Sequence, residues 1–219
     1  MRNLILSAAL VTATLFGMTA QAADVPLEAG KTYVQLSNPV PVAVPGKIEV
    51  VEMFWYGCPH CFAFEPVINP WAEKLPADVH FVRIPAMFGG PWDAHGQLFL
   101  TLDAMGVENK VHAAVFNAIQ KEGKRLTDKQ DMADFVSTLG VDKDKFLQTF
   151  DSFAIKGQIV KAKELAKKYE ISGVPTMIVN GKYRFDIGST GGPEQALNVA
   201  DQLIAKERAE EKAAPAAKN

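Results

Sequence analysis

Residues 47–61 read Lys47-Ile48-Glu49-Val50-Val51-Glu52-Met53-Phe54-Trp55-Tyr56-Gly57-Cys58-Pro59-His60-Cys61. The first ten form a β-branched and aromatic run that suits a strand buried on both faces. Gly57 ends it. The cysteine segment then opens a helical pattern reaching about residue 75, with Pro59 in the first turn, where no backbone donor is needed. Pro66 lies inside that helix and is expected to kink it. Val79-His80-Phe81-Val82-Arg83-Ile84 reads as a second strand. A strand, a crossover helix and a second strand imply parallel pairing with a right-handed connection.

From residue 93 to about residue 169 the pattern turns helical. Leu98, Leu102 and Met105 recur at helical spacing before Gly106, and Val111, Val115, Ala118 and Ile119 do so before Gly123. Thr127 resembles an N-cap ahead of Met132, Phe135, Val136 and Leu139, with Gly140 as the stop. A short helix carries Phe146, Leu147 and Phe150, and a longer one runs over 155–169. Glycines past the helix ends favour short antiparallel helices. Strand signals return in Thr176-Met177-Ile178-Val179 and Lys182-Tyr183-Arg184-Phe185, joined at the turn pair Asn180-Gly181, as an antiparallel hairpin. Pro193 opens a last helix, and the Ala/Lys/Glu/Pro-rich end from about Arg208 reads as disordered.

The first 22 residues read as a secretory signal peptide. Arg2 precedes an apolar run from residue 4 to residue 18, and Ala20-Gln21-Ala22 is a small-x-small cleavage pattern. A membrane span needs roughly 20 apolar residues, and Thr12, Thr14 and Gly17 interrupt this run. Of 23 basic and 25 acidic side chains only Arg2 falls in the leader, so the rest carries a small net negative charge. That balance gives no electrostatic footprint for nucleic acid or an anionic membrane. Lys161, Lys163, Lys167 and Lys168 alternate with Glu164 and Glu170 and read as a solvated helix face.

Two cysteines in 219 residues are too few for a disulfide-stapled scaffold. Their mutual disulfide would close a tiny loop and restrict the unfolded chain little. Redox chemistry is the better account of the pair. At a helix start, the Cys58 sulfur can sit over unpaired backbone N–H groups at the positive end of the dipole, which favours thiolate. His60 adds a donor or a positive charge to the same anion. A metal site fits poorly: a closed zinc site takes four ligands, there is no second cysteine pair, and His60, His80, His95 and His112 lack ligand spacing. The last three read as ordinary surface or core residues. Haem attachment needs His after the second cysteine, and Phe62 stands there.

Cys58-Pro59-His60-Cys61 after Phe54-Trp55-Tyr56-Gly57, together with Gly173-Val174-Pro175-Thr176 before the hairpin, resembles the DsbA family, thiol:disulfide oxidoreductases of the Gram-negative periplasm. The resemblance covers about residues 27–207. It implies an α/β thioredoxin fold, a central mixed sheet flanked by helices, with residues 23–90 and 157–207 as the thioredoxin-like domain, 91–156 as an all-helical insertion and 208–219 as a disordered tail. It implies a dithiol oxidase that introduces disulfides into reduced secreted proteins, with a DsbB-like membrane quinone reductase as reoxidant. Cys58 would be the exposed, attacked sulfur and Cys61 its more buried partner, so the redox-active disulfide serves in place of a cofactor. Val174-Pro175 would be a cis-proline loop against the disulfide, freeing the Val174 backbone to pair with substrate. Glu52 would be a buried acid managing the proton of Cys61. A monomer is expected, because a dimerisation region is not accommodated between Ala23 and Tyr33. Trp55-Tyr56-Gly57 and the loop over 83–92 depart from the family pattern near the substrate face.

Overall fold

The computed structural model describes residues 24–213; the leader and its cleavage pattern lie outside them. A five-stranded mixed sheet has the order β1 (Val34–Gln35), β5 (Tyr183–Asp186), β4 (Thr176–Val179), β2 (Ile48–Phe54), β3 (Val79–Pro85). The β2 strand is buried at every position, its glutamates Glu49 and Glu52 included, as its β-branched and aromatic run predicts. It pairs in parallel with β3, in a register that sets Glu52 opposite Arg83, and antiparallel with β4. The crossover is helix α1 (Pro59–Ala72). On one face of the sheet, α1 and the terminal helix α8 (Pro193–Ala213) enclose Ile48, Val50, Phe64, Ile68, Met177 and Leu203. On the other, Val51, Met53 and Ile178 pack with Ala166 and Tyr169.

Between β3 and β4 stand five helices: α2 (Pro91–Ala104), α3 (Glu108–Gln120), α4 (Lys129–Thr138), α5 (Lys143–Phe150) and α6 (Phe153–Lys168). Their apolar faces share one core with the start of α1, in which Leu98, Phe116, Met132, Val136 and Phe146 continue into Phe54, Tyr56, Cys58 and Cys61. The cysteines therefore sit where the helical block meets the sheet. The expected block boundary at 156–157 falls inside α6, which is one continuous helix. Ile155 and Ala162 on α6 belong to the helical core, whereas Ala166 on the same helix belongs to the sheet core.

Several expectations are corrected. Helix α1 runs through both Pro66 and Pro70 yet stops at Ala72 rather than 75. Its last N–H groups turn to i→i−3 acceptors, Lys74 to Trp71 and Leu75 to Ala72, and Pro76 disfavours helix at Leu75. The N-cap of α4 is Asp128, not Thr127, because its carboxylate accepts from the N–H groups of both Gln130 and Asp131. Strand β1 and the one-turn helix α7 (Ile187–Thr190), held by an Asp186–Ser189 capping box, have no counterpart in the sequence reading. The tail expected to be disordered from 208 is helical to Ala213. Arg208 donates Nε and Nη2 to the Asp78 carboxylate, at 2.6 and 3.0 Å, and Lys206 bonds Glu210 one turn on at 2.6 Å. The Arg208–Asp78 pair holds the last turns to the body of the protein, and the Lys206–Glu210 pair braces the helix itself. Residues 214–219 lie outside the described range.

Candidate active site at the start of the crossover helix

Cys58 is the N-cap of α1, with extended backbone angles (φ −90°, ψ 116°), and Pro59 follows at N1. The Cys58 sulfur accepts the Cys61 N–H at 3.3 Å, one of the donors a helix start leaves unpaired. Its thiol reaches the Val174 carbonyl at 3.5 Å, and the Val174–Pro175 peptide is cis. Cys58 retains 7% of its surface and Cys61 none. Both are therefore buried: the exposure expected of Cys58 is not seen, and the two differ only in the small surface that Cys58 keeps. Both are free thiols.

The two sulfurs differ in proton affinity. The Cys58 thiol is held down to about 6, first by the hydrogen bond from the Cys61 thiol. Burial works against this, and the backbone N–H groups of Cys61 and His60 and the His60 charge add to it. Burial drives the Cys61 thiol far up, reinforced by its bond to Cys58 and the nearby charge of Glu52. His60 and Pro59 are exposed. With Val174, Pro175, Asp186 and Ile187, His60 lines an open groove beside the cysteines.

Glu52 is fully buried, and burial pushes its carboxyl up to about 7 against the pull of Arg83. Arg83 donates Nε to Glu52 Oε2 at 3.0 Å and Nη2 to Asn69 Oδ1 at 2.5 Å, and approaches Glu65 Oε1 at 3.4 Å. The other Glu65 oxygen stands 3.3 Å from His112 Nε2, while His112 Nδ1 meets Glu108 and the Tyr56 hydroxyl, the latter at 2.9 Å. Sequence reasoning found Glu52 alone of this cluster. His112, read as an ordinary surface or core residue, stands between two of its carboxylates, Glu108 and Glu65, which raise its proton affinity against the opposing effect of burial. Two signals were present: an arginine in an apolar strand, directly opposite Glu52 once β2 and β3 align, and the i,i+4 spacing of Glu108 and His112.

The segments flagged as departing from the family pattern meet beside the cysteines. The Trp55 ring stacks on Trp92 at 4.0 Å and Phe88 leans on Trp92 at 5.1 Å. Gly57 is needed at this point: a Cβ there would stand 2.2 Å from the Trp55 ring. Among the described residues no group of three or more His, Cys, Asp or Glu side chains is placed to hold a metal ion, and no helix is long and apolar enough to cross a membrane.

A free cysteine pair of unequal proton affinity at a helix start can do one chemistry directly, the exchange of thiols and disulfides. Comparison with known proteins agrees. The DSBA-like thioredoxin domain family matches residues 92–197. The thiol:disulfide interchange protein DsbA of Pseudomonas syringae pv. tomato is 78% identical over 214 residues, covering 98% of this chain and all of the relative. That of Pseudomonas aeruginosa is 69% identical over 209 residues, covering 95% and 98%. The crystal structure of Pseudomonas aeruginosa DsbA superposes with a TM-score of 0.83 over 85% of this chain and 97% of that one, at 69% identity. DsbA from Xylella fastidiosa gives 0.79 at 34% identity, over 84% and 99%. On its fold, its cysteine pair and these relatives, the chain is an oxidoreductase that belongs to the DsbA family of thiol:disulfide interchange proteins.

Proposed function

We propose that the protein works as a dithiol oxidase, passing its Cys58–Cys61 disulfide to reduced proteins of the periplasm after loss of a leader cleaved behind Ala22. The observation that carries this reading is the placement of the two sulfurs, Cys58 over the Cys61 N–H at the helix start and Cys61 without exposed surface, which makes their proton affinities unequal. A Cys58 midpoint near 6 leaves about ten thiolates per thiol at pH 7, where an ordinary cysteine is almost wholly protonated. Whatever stabilises that thiolate stabilises the reduced pair and makes the disulfide a stronger oxidant.

In the proposed sequence a substrate thiolate attacks Cys58 and a new S–S bond forms. The Cys58–Cys61 bond breaks with its electron pair on Cys61. Buried Cys61 cannot rest as an anion, and Glu52 supplies its proton. A second substrate cysteine, its proton lost to solvent, then attacks as thiolate the substrate sulfur of the mixed disulfide, and Cys58 leaves as its favoured thiolate. Val174 and Pro175 hold the substrate backbone beside Cys58, His60 stands at the groove edge, and Pro59 starts the helix without a wasted donor. The protein acts as a monomer, with its redox disulfide in place of a separate cofactor and a DsbB-like membrane quinone reductase restoring it. The thioredoxin-like parts over 23–90 and 157–207 carry the cysteines and the Val174 loop, and the insertion over 91–156 covers Cys61.

Equilibrating the cysteine pair in glutathione buffers of graded ratio tests the direction. The pair is expected to be far more oxidising than thioredoxin. A potential as reducing as thioredoxin's overturns the oxidase reading.

A further inference from the structure

His112 lies outside the cysteine motif, on the inserted helix α3, yet it is 95% buried among charges that reach the sheet. Each element packed on it contributes. Its own helix presents Glu108, α1 presents Glu65, and the turn after β2 presents the Tyr56 hydroxyl. Behind Glu65 stand Arg83 of β3 and Glu52 of β2, and Asp103 at the end of α2 faces Glu108 and Tyr56. The remaining contacts, Phe54, Phe99 and Phe116, are aromatic.

Both ring nitrogens face a carboxylate, Nδ1 that of Glu108 and Nε2 that of Glu65. A neutral imidazole has one N–H and would turn a lone pair toward one of them, whereas an imidazolium presents an N–H to each, meeting Glu65 as an ion pair at 3.3 Å that falls short of a hydrogen bond. An imidazolium also lessens the charge imbalance: Glu52, Glu65 and Glu108 face Arg83 as the only other cation among the described residues, so with an imidazolium these five groups carry a single excess negative charge, with Asp103 beside them. Protonation of Glu52 cancels that charge. Among the described residues Glu52 Oε1 has no hydrogen-bond partner, and neither have Glu65 Oε1 and Glu108 Oε1; of the three carboxyls Glu52 is the one without exposed surface, where burial favours the protonated form. An open cleft lined by Asn69, Arg83, Asn109 and His112 gives the cluster access to the bulk pH.

We propose that His112 is a positioning residue for thiol–disulfide exchange: its imidazolium, clamped between Glu65 and Glu108, sets how tightly Glu52 holds the proton it passes to Cys61. This rests on the reading of Glu52 as the proton donor of Cys61. Through His112, the helical insertion tunes chemistry carried by the sheet.

The test is the pH dependence, between about pH 5 and pH 9, of the rate at which the disulfide form oxidises a cysteine-containing peptide, in the native protein, E52Q and H112Q. An inflection near the Glu52 midpoint is expected in the native protein and absent in E52Q. In H112Q it moves upward by about one pH unit, a tenfold tightening of the Glu52 proton. An inflection lost in E52Q but unmoved in H112Q overturns the proposal and leaves the Glu52 reading standing. One that survives E52Q overturns both. Nitrogen-15 NMR of the native His112 ring decides independently of any folding defect in H112Q: both nitrogens protonated at neutral pH supports the proposal, and a neutral tautomer overturns it.

Discussion

The main-chain N–H of Cys61 meets the sulfur of Cys58 at 3.3 Å, so the partner in the disulfide is also a donor to the thiolate left when that bond opens. The thiol of Cys61 adds a second bond, the largest single influence holding Cys58 near 6, while the His60 charge adds least. Replacement of Cys61 by Ala removes the thiol and keeps the amide. Thiolate absorbance against pH is therefore expected to show the Cys58 midpoint rising in both C61A and H60A, and rising more in C61A. The opposite order would make His60 the dominant influence.

Glu52 carries a signature in stability. Its carboxyl titrates near 7 in the fold and near 4.5 when unfolded, chiefly because burial penalises the anion. Below about pH 4.5 both states hold the proton and the site costs nothing. Between 4.5 and 7 the unfolded chain has lost it while the fold keeps it, so a penalty builds up, and it is complete above 7. Glu52→Gln removes the titration. Relative to the native protein, E52Q is expected to gain about 3 kcal/mol of stability from pH 4.5 to pH 8, read from urea melts at several pH values. A pH-independent difference would show that Glu52 titrates alike in both states.

The parts of the fold that were legible in the sequence owe their form to neighbours in the chain. The buried run of β2, the cysteine turn and the Asn180-Gly181 hairpin all carry local chemistry. The parts that were not legible depend on distant partners. Two-residue β1 exists through its pairing with Arg184 and Tyr183, and the last turns of α8 through Asp78, 130 residues away from Arg208. The site divides the same way. Cys58, Cys61, Val174 and Pro175 sit in motifs, whereas Arg83, Glu65, His112 and Glu108 come from β3, α1 and α3 and acquire meaning where those elements meet Glu52.

The hairpin turn yields a sharp contrast between adjacent residues. Asn180 and Gly181 both have positive φ, 51° and 62°, but a Cβ on Gly181 would lie 1.9 Å from the Val40 carbonyl oxygen. That oxygen is held by backbone, since Val40 donates to the Gly181 carbonyl at 2.9 Å. G181A is expected to cost about 2 kcal/mol or more, from strain and collision together. N180G, which relieves the same φ, is expected to stay within about 1 kcal/mol of the native protein. Urea melts of the two variants decide; equal losses would refute the collision with Val40.

Gly57 is constrained by a side chain instead. A Cβ there would stand 2.2 Å from the Trp55 ring, which cannot swing aside freely because Trp92 is stacked on it at 4.0 Å. G57A must therefore part the two indoles or shift the turn that delivers Cys58. The expected loss is about 1–3 kcal/mol, the usual range for overpacking. Removing the obstacle should remove most of that cost. In a W55A background, G57A is expected to change stability by less than about 0.5 kcal/mol beyond the loss W55A causes alone, a coupling visible only between residues in contact. Additive losses in this double-mutant cycle would mean that Gly57 serves the backbone of the cysteine turn and not the packing of Trp55 on Trp92.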